Sequence, residues 1–115
     1  MQALRYQSSL QPYRDEHLHV DLRRDLVMLD SQVPPLTRQE YCLLLVLVQR
    51  AGKVVPRKTL SMQVWGYVPQ RRNYTLDTHI HGLRKKLGGY ADQYIETVIG
   101  VGYRFRPSVP PSDQG

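Results

Sequence analysis

The sequence predicts an α+β domain in which a small N-terminal antiparallel sheet precedes three helices and a C-terminal β-hairpin. Three observations predict it. Apolar and polar residues alternate from His17 to Leu22; Leu76, Ile80, Leu83 and Leu87 recur at steps of four, three and four; and two short β-type runs, 94–98 and 103–106, flank Gly100 and Gly102. Residues 17–107 form the expected domain, with 1–16 as a flexible leader or linker and 108–115 as a disordered tail.

Leu18, Val20 and Leu22 alternate with His17, His19 and Asp21, and the short runs 26–29 and 32–33 follow after polar breaks. Three short antiparallel strands fit, with a fourth left open in the leader. Pro34 and Pro35 close this part. Thr37-Arg38-Gln39-Glu40 then has the form of a capping box, in which threonine and glutamate side chains satisfy orphaned N–H groups at a helix start. Tyr41, Leu44, Leu45 and Val48 fall at i, i+3, i+4 and i+7, and Leu43, Val46 and Leu47 extend the apolar surface nearly all round, as in a central core helix. Gly52 stops it. A second, short helix runs over 56–65, with Pro56 tolerated in the first turn and Gly66 at the end.

The third helix, 73–87, carries the sharpest amphipathic pattern. At ~100° per residue its leucine and isoleucine stripe faces inward, and Tyr74, Thr78, His81, Gly82 and Lys85 lie opposite with Arg71, while Thr75 and Lys86 flank them. In the hairpin that follows, Tyr103 and Phe105 share one strand face and pack on the helices, leaving Arg104 and Arg106 on the other.

At 115 residues there is room for one domain and one modest core. Hydrophobic residues at 41% and charged residues at 23% exclude wholesale disorder and fibrous repeats. The net charge of +6 favours a polyanionic partner, and residues 71–106 hold seven basic and three acidic side chains, so four of the six surplus charges lie in under a third of the chain. The longest apolar run, 42–48, is far shorter than the ~20 residues of a membrane span, and no signal-peptide pattern opens the chain. Cys42, inside that run, reads as a buried core thiol in a reducing cytosol. The expected location is cytoplasmic, with no membrane partner.

Three helices and a hairpin in this order make a winged helix-turn-helix. Its physical logic is that a polar-faced helix fits the ~12 Å major groove while the wing approaches the backbone or minor groove. The wording of the sequence is more specific still. The segments 36–41 (LTRQEY), 64–66 (VWG), 76–80 (LDTHI), 83–87 (LRKKL) and 100–105 (GVGYRF) together resemble the OmpR/PhoB-type effector domain of response regulators, over about residues 17–107. The resemblance implies a four-stranded N-terminal sheet, three helices and a wing, and double-stranded DNA binding in transcription as the output part of a two-component phosphorelay.

By position, the resemblance makes 73–87 the recognition helix and 94–106 the wing, with Trp65 and Arg84 at phosphates and Thr97 near DNA at the wing base. Combined with the outward face, the expected DNA-binding set is Trp65, Arg71, Arg72, Tyr74, Thr75, Thr78, His79, His81, Arg84, Lys85, Thr97, Ile99 and Tyr103. Thr75, Thr78, His81 and Lys85 enter the groove, and Trp65, Arg71, Arg72 and Arg84 hold phosphates. The 66–73 loop corresponds to the one that in the family faces RNA polymerase or a neighbouring subunit, and family members bind direct repeats as head-to-tail dimers. Tyr74, Gly82 and Ile99 depart from the pattern, standing where the family commonly carries arginines. Each bidentate arginine–guanine contact supplies roughly 1–3 kcal/mol of discrimination.

Other chemistries find less support. His79 and His81, two apart on a helix, point about 200° away from each other and cannot share a metal. His17 and His19 share a strand face without a further ligand at metal spacing. No nucleophile–base pair, acid–base pair or phosphate-cradling loop of recognised form is present, so no enzyme activity, cofactor or small-molecule substrate is expected. The basic triplet Arg84-Lys85-Lys86 has a second use, complementing the dipole at a helix end. The alternative to DNA binding is a protein-interaction module on the same fold with a degenerate DNA-reading face, motivated by the three absent arginines.

Overall fold

The computed structural model describes residues 12–68 and 75–107, and the chain divides into two compact units, the first ending at Pro34 and the second spanning Pro35–Pro107. The first unit is a three-stranded antiparallel sheet of order β1-β2-β3, with β1 at Tyr13–Arg14, β2 at Leu18–Asp21 and β3 at Leu26–Leu29. Leu18 and Val20 pair with Leu29 and Val27, so the alternating apolar set lies on one face, and both are fully buried. The strand left open in the leader is thus β1, inside the stretch expected to be flexible. Asp15 builds the corner between β1 and β2, its Oδ1 accepting from the His17 and Leu18 backbone N–H groups, each at 2.8 Å.

The strand expected over 32–33 reduces to a single bridge between Leu29 and Gln32. Asp30 and Ser31, at φ 49° and 68°, form the two-residue turn that reverses the chain for that one pair. Pro34 and Pro35 follow, and without N–H groups they cannot extend the ladder.

In the second unit, α1 (Arg38–Gln49) begins at the capping box: Thr37 Oγ1 accepts from Glu40 N–H at 3.2 Å and Glu40 Oε1 accepts from Thr37 N–H at 2.9 Å. Its buried apolar face is Leu43, Leu44, Leu47 and Val48, whereas Tyr41, Cys42, Leu45 and Val46 are half-buried. The helix is therefore one-sided rather than apolar all round, and the Cys42 thiol is not a full core residue. The chain then enters β4 (Val54–Pro56), a strand that the sequence pattern did not indicate because Pro56 reads as the first turn of a helix. Pro56 instead caps α2 (Arg57–Trp65) from extended backbone, and Gly66 in the left-handed region ends that helix.

The third helix, α3 (Thr75–Leu87), buries Leu76, Ile80, Leu83 and Leu87, the expected stripe. Residues 73 and 74, expected to open it, lie outside the described residues. A 3₁₀ turn at Gly88–Tyr90 and a single helical turn, α4 (Ala91–Tyr94), lead into β5 (Ile95–Val98) and β6 (Gly102–Phe105). Tyr94 thus closes a helix instead of opening the strand, and β6 stops at Phe105, one residue short of Arg106.

The second sheet has the order β4-β6-β5, so the hairpin is stitched to the helical part through its central strand. Helix α1 packs against α2, α3 and β6. Tyr94 and Phe105, both fully buried, stack with ring centroids 5.6 Å apart. Gly102 is required where β4 crosses, since a Cβ there would stand 2.1 Å from the Val55 carbonyl oxygen. Helices and hairpin together form a winged helix-turn-helix.

Candidate nucleic-acid interface

With its stripe buried, α3 presents Thr75, Thr78, His81 and Lys85 exposed. They follow steps of three, three and four, one line along the helix opposite the core. The sequence placed Thr78, His81 and Lys85 opposite the stripe and Thr75 on the flank of that face. Arg71, Arg72 and Tyr74, expected on the same side, lie outside the described residues.

Trp65, at the end of α2, meets the His79 ring edge-on at a centroid distance of 5.2 Å. His79 Nδ1 lies 2.8 Å from the Thr75 carbonyl oxygen one turn back. A carbonyl only accepts, so Nδ1 carries the proton, and Nε2 is left as the nitrogen that can meet a ligand. Trp65 and His79 therefore form one half-buried unit at the junction of α2 and α3.

Arg84 is spent differently from a free phosphate cation. Its Nη2 donates to the Ile95 carbonyl at 2.9 Å and to the Thr97 hydroxyl at 2.7 Å, and its guanidinium lies 5.7 Å from the Tyr103 ring centroid. The same side chain keeps a buried Nε without a hydrogen-bond partner. Arg84 thus ties α3 to the wing, and Thr97, itself exposed, is held by it.

Tyr103 is only 6% exposed, and its hydroxyl donates to Asp77 Oδ1 at 2.6 Å. Arg57 grips the same carboxylate in a fork, Nη1 to Oδ1 at 2.6 Å and Nη2 to Oδ2 at 3.1 Å. The Asp77 hydrogen bond pushes the Arg57 guanidinium further up, and burial followed by the Asp77 hydrogen bond raises the Tyr103 hydroxyl. Asp77 sits in the first turn of α3, where a negative charge also complements the helix dipole. This Arg57–Asp77–Tyr103 cluster joins α2, α3 and β6, and no role for Arg57 or Asp77 was read from the sequence. The available signal was a lone carboxylate opening a helix in a cationic segment.

The basic triplet divides among three uses. Arg84 bridges to the wing, Lys85 stays exposed, and Lys86 Nζ pairs at 2.6 Å with Glu40 Oε1, the buried carboxylate of the capping box. On the wing, Arg104 pairs with Glu96 at 2.8 Å, and Arg106 donates to the Asp92 carbonyl. Gly82 has a steric reason: a Cβ there would fall 2.3 Å from Glu40 Oε2. At the far end of the hairpin Ile99 is 91% exposed. Among the described residues no three His, Cys, Asp or Glu side chains come together to hold a metal ion.

A polar-faced helix bound rigidly to a hairpin is the geometry of a DNA-reading winged helix, and the comparison with known proteins agrees. The family model described as "Transcriptional regulatory protein, C terminal" matches residues 31–105. The chain belongs to this family, the OmpR/PhoB-type effector domains. The effector domain is 39% identical over 93 residues to the transcriptional regulatory protein SrrA of Staphylococcus aureus, a match covering 78% of this chain and 39% of SrrA. The chain therefore spans well under half the length of the curated relatives it matches. Among solved structures it resembles the DNA-binding domain of CpxR from E. coli, with a TM-score of 0.76 and 30% identity over 86% of this chain and 99% of that one. The Klebsiella pneumoniae RstA DNA-binding domain, solved in complex with the RstA box, gives a TM-score of 0.76 and 27% identity over 85% and 99%.

Proposed function

We propose that this effector domain binds double-stranded DNA by laying α3 in the major groove, with Thr75, Thr78, His81 and Lys85 toward base edges and the wing alongside. The observation that carries this is the exposed line of polar side chains on α3, opposite a fully engaged core stripe. Trp65, His79 through Nε2, and Thr97 border that line and suit phosphate contacts. Arg71, Arg72 and Tyr74 belong to the same proposal from their sequence positions. Tyr103 and Arg84 contribute by fixing the wing against α3.

The reading assigns the chain no catalytic step. Its wider setting follows from the family: the output part of a cytoplasmic two-component regulator, bound as a head-to-tail dimer on direct repeats, with the 66–73 loop toward RNA polymerase. No helix among the described residues is long and apolar enough to cross a membrane.

The test is a titration of labelled duplexes with the chain across a range of salt concentrations. The expected result is a log–log slope of about −0.9 for each phosphate neutralised. Affinity independent of salt, or no duplex preferred over competitor DNA, would overturn the reading in favour of a protein-interaction module.

A further inference from the structure

His79 is half-buried on α3, and its ring is constrained from two directions. Nδ1 stands 2.8 Å from the Thr75 carbonyl oxygen, and the Trp65 ring of α2 meets the imidazole at 66° with centroids 5.2 Å apart. A carbonyl only accepts, so Nδ1 holds a proton in every state that keeps this bond. The neutral ring then offers a lone pair at Nε2, and a phosphate oxygen brings another. Two acceptors repel.

Moving the proton to Nε2 would turn the Nδ1 lone pair on the Thr75 carbonyl at 2.8 Å, and rotating the ring would part it from Trp65. The state that satisfies every partner is the imidazolium. Both of its nitrogens donate, Nδ1 to the helix carbonyl and Nε2 to phosphate in a charge-assisted bond. Among the described residues no carboxylate pairs with this ring, whose contacts are the uncharged Trp65 and Thr75. The charges on the two helices that form the junction are directed elsewhere. On α3, Asp77 faces Arg57 and Tyr103, Arg84 faces the wing, Lys86 faces Glu40 and Lys85 is exposed; on α2, Arg57 faces Asp77, and Lys58 is exposed two turns before Trp65. A phosphate would thus be the counter-charge of the ring. His81, two residues on, is exposed and has no such tie among the described residues, so either of its tautomers can turn toward DNA.

We propose that His79 meets a DNA phosphate only as the imidazolium, so that duplex binding takes up a proton at Nε2 and weakens as pH rises, an inference that rests on the DNA-binding reading above. Histidine changes charge between about pH 5 and 8, which puts this coupling in the physiological range. Coupling is reciprocal: if a proton strengthens the grip on DNA, DNA strengthens the grip on the proton. A hydrogen bond to a charged group carries roughly tenfold or more in an equilibrium, enough for the effect to stand clear of the other contacts.

The experiment first selects a high-affinity duplex from a random pool with the full chain. Calorimetric titrations at about pH 7, in buffers of different ionisation enthalpy, then count the protons exchanged on binding. The expected result is net uptake of up to about one proton, with affinity at least about fivefold weaker near pH 8.5 than near pH 6. The extra cation also steepens the log–log salt slope at the lower pH by up to about 0.9. His79→Gln, whose amide donates without titrating, loses the uptake and flattens the pH profile, whereas His81→Gln keeps both. In the wild-type chain the His79 ring resonances titrate at higher pH with duplex bound than without it, a readout that needs no variant. Binding without proton uptake overturns this proposal alone, as do uptake that survives His79→Gln and a His79 titration that the duplex leaves in place. Failure to select any duplex overturns the DNA reading, and this one with it.

Discussion

Arg84 Nη2 lies between the Ile95 carbonyl oxygen at 2.9 Å and the Thr97 hydroxyl at 2.7 Å, so a single α3 side chain sets where the wing stands. A lysine in its place has one compact ammonium and no planar fork to bridge two acceptors and cover the Tyr103 ring. Losing one charged hydrogen bond costs about 1.5–3 kcal/mol, partly offset because the buried, unpartnered Nε disappears too. Arg84→Lys is expected to lower the unfolding free energy by about 1 kcal/mol in urea titration. No change would mean that the wing is held without this contact.

Asp77 accepts from two partners on different elements, Arg57 and Tyr103, and its neutralisation has two separate readouts. The Asp77 charge and hydrogen bond add to burial in raising the Tyr103 hydroxyl above its ordinary value of 10.0. Asp77→Asn therefore brings its titration down toward that value, measurable by ultraviolet absorbance against the other tyrosines. Because the folded hydroxyl is raised, its contribution in the wild type is complete below pH 10 and is lost as pH climbs through the folded value. The ion pair is half exposed, so the stability cost of the variant at neutral pH is a modest ~1 kcal/mol. A Tyr103 titration that does not move in Asp77→Asn would break the proposed link.

Glu40 is a 5% exposed carboxylate beside an ammonium. Burial alone would raise it, but Lys86 and the Thr37 N–H outweigh that and hold it below its ordinary value of 4.5. A depressed folded value means stability that is fully present above pH 4.5 and lost as pH falls through the folded titration. Glu40→Gln keeps the shape and removes the titrating charge, so its stability falls less steeply in acid than that of the wild type. At neutral pH it is the less stable of the two by about 1 kcal/mol, because Lys86 loses its carboxylate partner while the amide oxygen still caps Thr37 N–H. Parallel acid limbs from calorimetry at several pH values would refute the assignment.

The α3 stripe and the capping box were legible because each is local. A 3.6-residue period and a three-residue spacing are complete within a dozen residues. What escaped was long-range. Strand β4 is three residues ending in Pro56, and its reason for being extended is the pairing with β6 almost fifty residues on. The Lys86–Glu40 and Arg57–Asp77 pairs span 46 and 20 residues, so no helix-face rule could match the partners. Tyr103 shows how two lines of inference diverge on one residue. Strand alternation placed it inward with Phe105, family position placed it at DNA, and the structure buries it on Asp77.

Gly82 illustrates a departure from the family pattern with a local cause. A glycine in the middle of a helix costs about 1 kcal/mol relative to alanine, so an exposed site would gain that much from Gly82→Ala. Here the new Cβ would lie 2.3 Å from Glu40 Oε2, while Oε1 of the same carboxylate is held by Thr37 N–H and Lys86. Making room requires turning a carboxylate fixed at its other oxygen. In the wild-type background Gly82→Ala is thus expected to give no gain, or a loss of up to ~1 kcal/mol, as the cap deforms. In a Glu40→Ala background the obstruction is gone, and the same substitution stabilises by about 1 kcal/mol. The double-mutant cycle read by urea unfolding should therefore show a coupling of about 1–2 kcal/mol between positions 40 and 82. Additivity within about 0.3 kcal/mol would mean that the carboxylate swings aside freely, and the glycine would then lack this explanation.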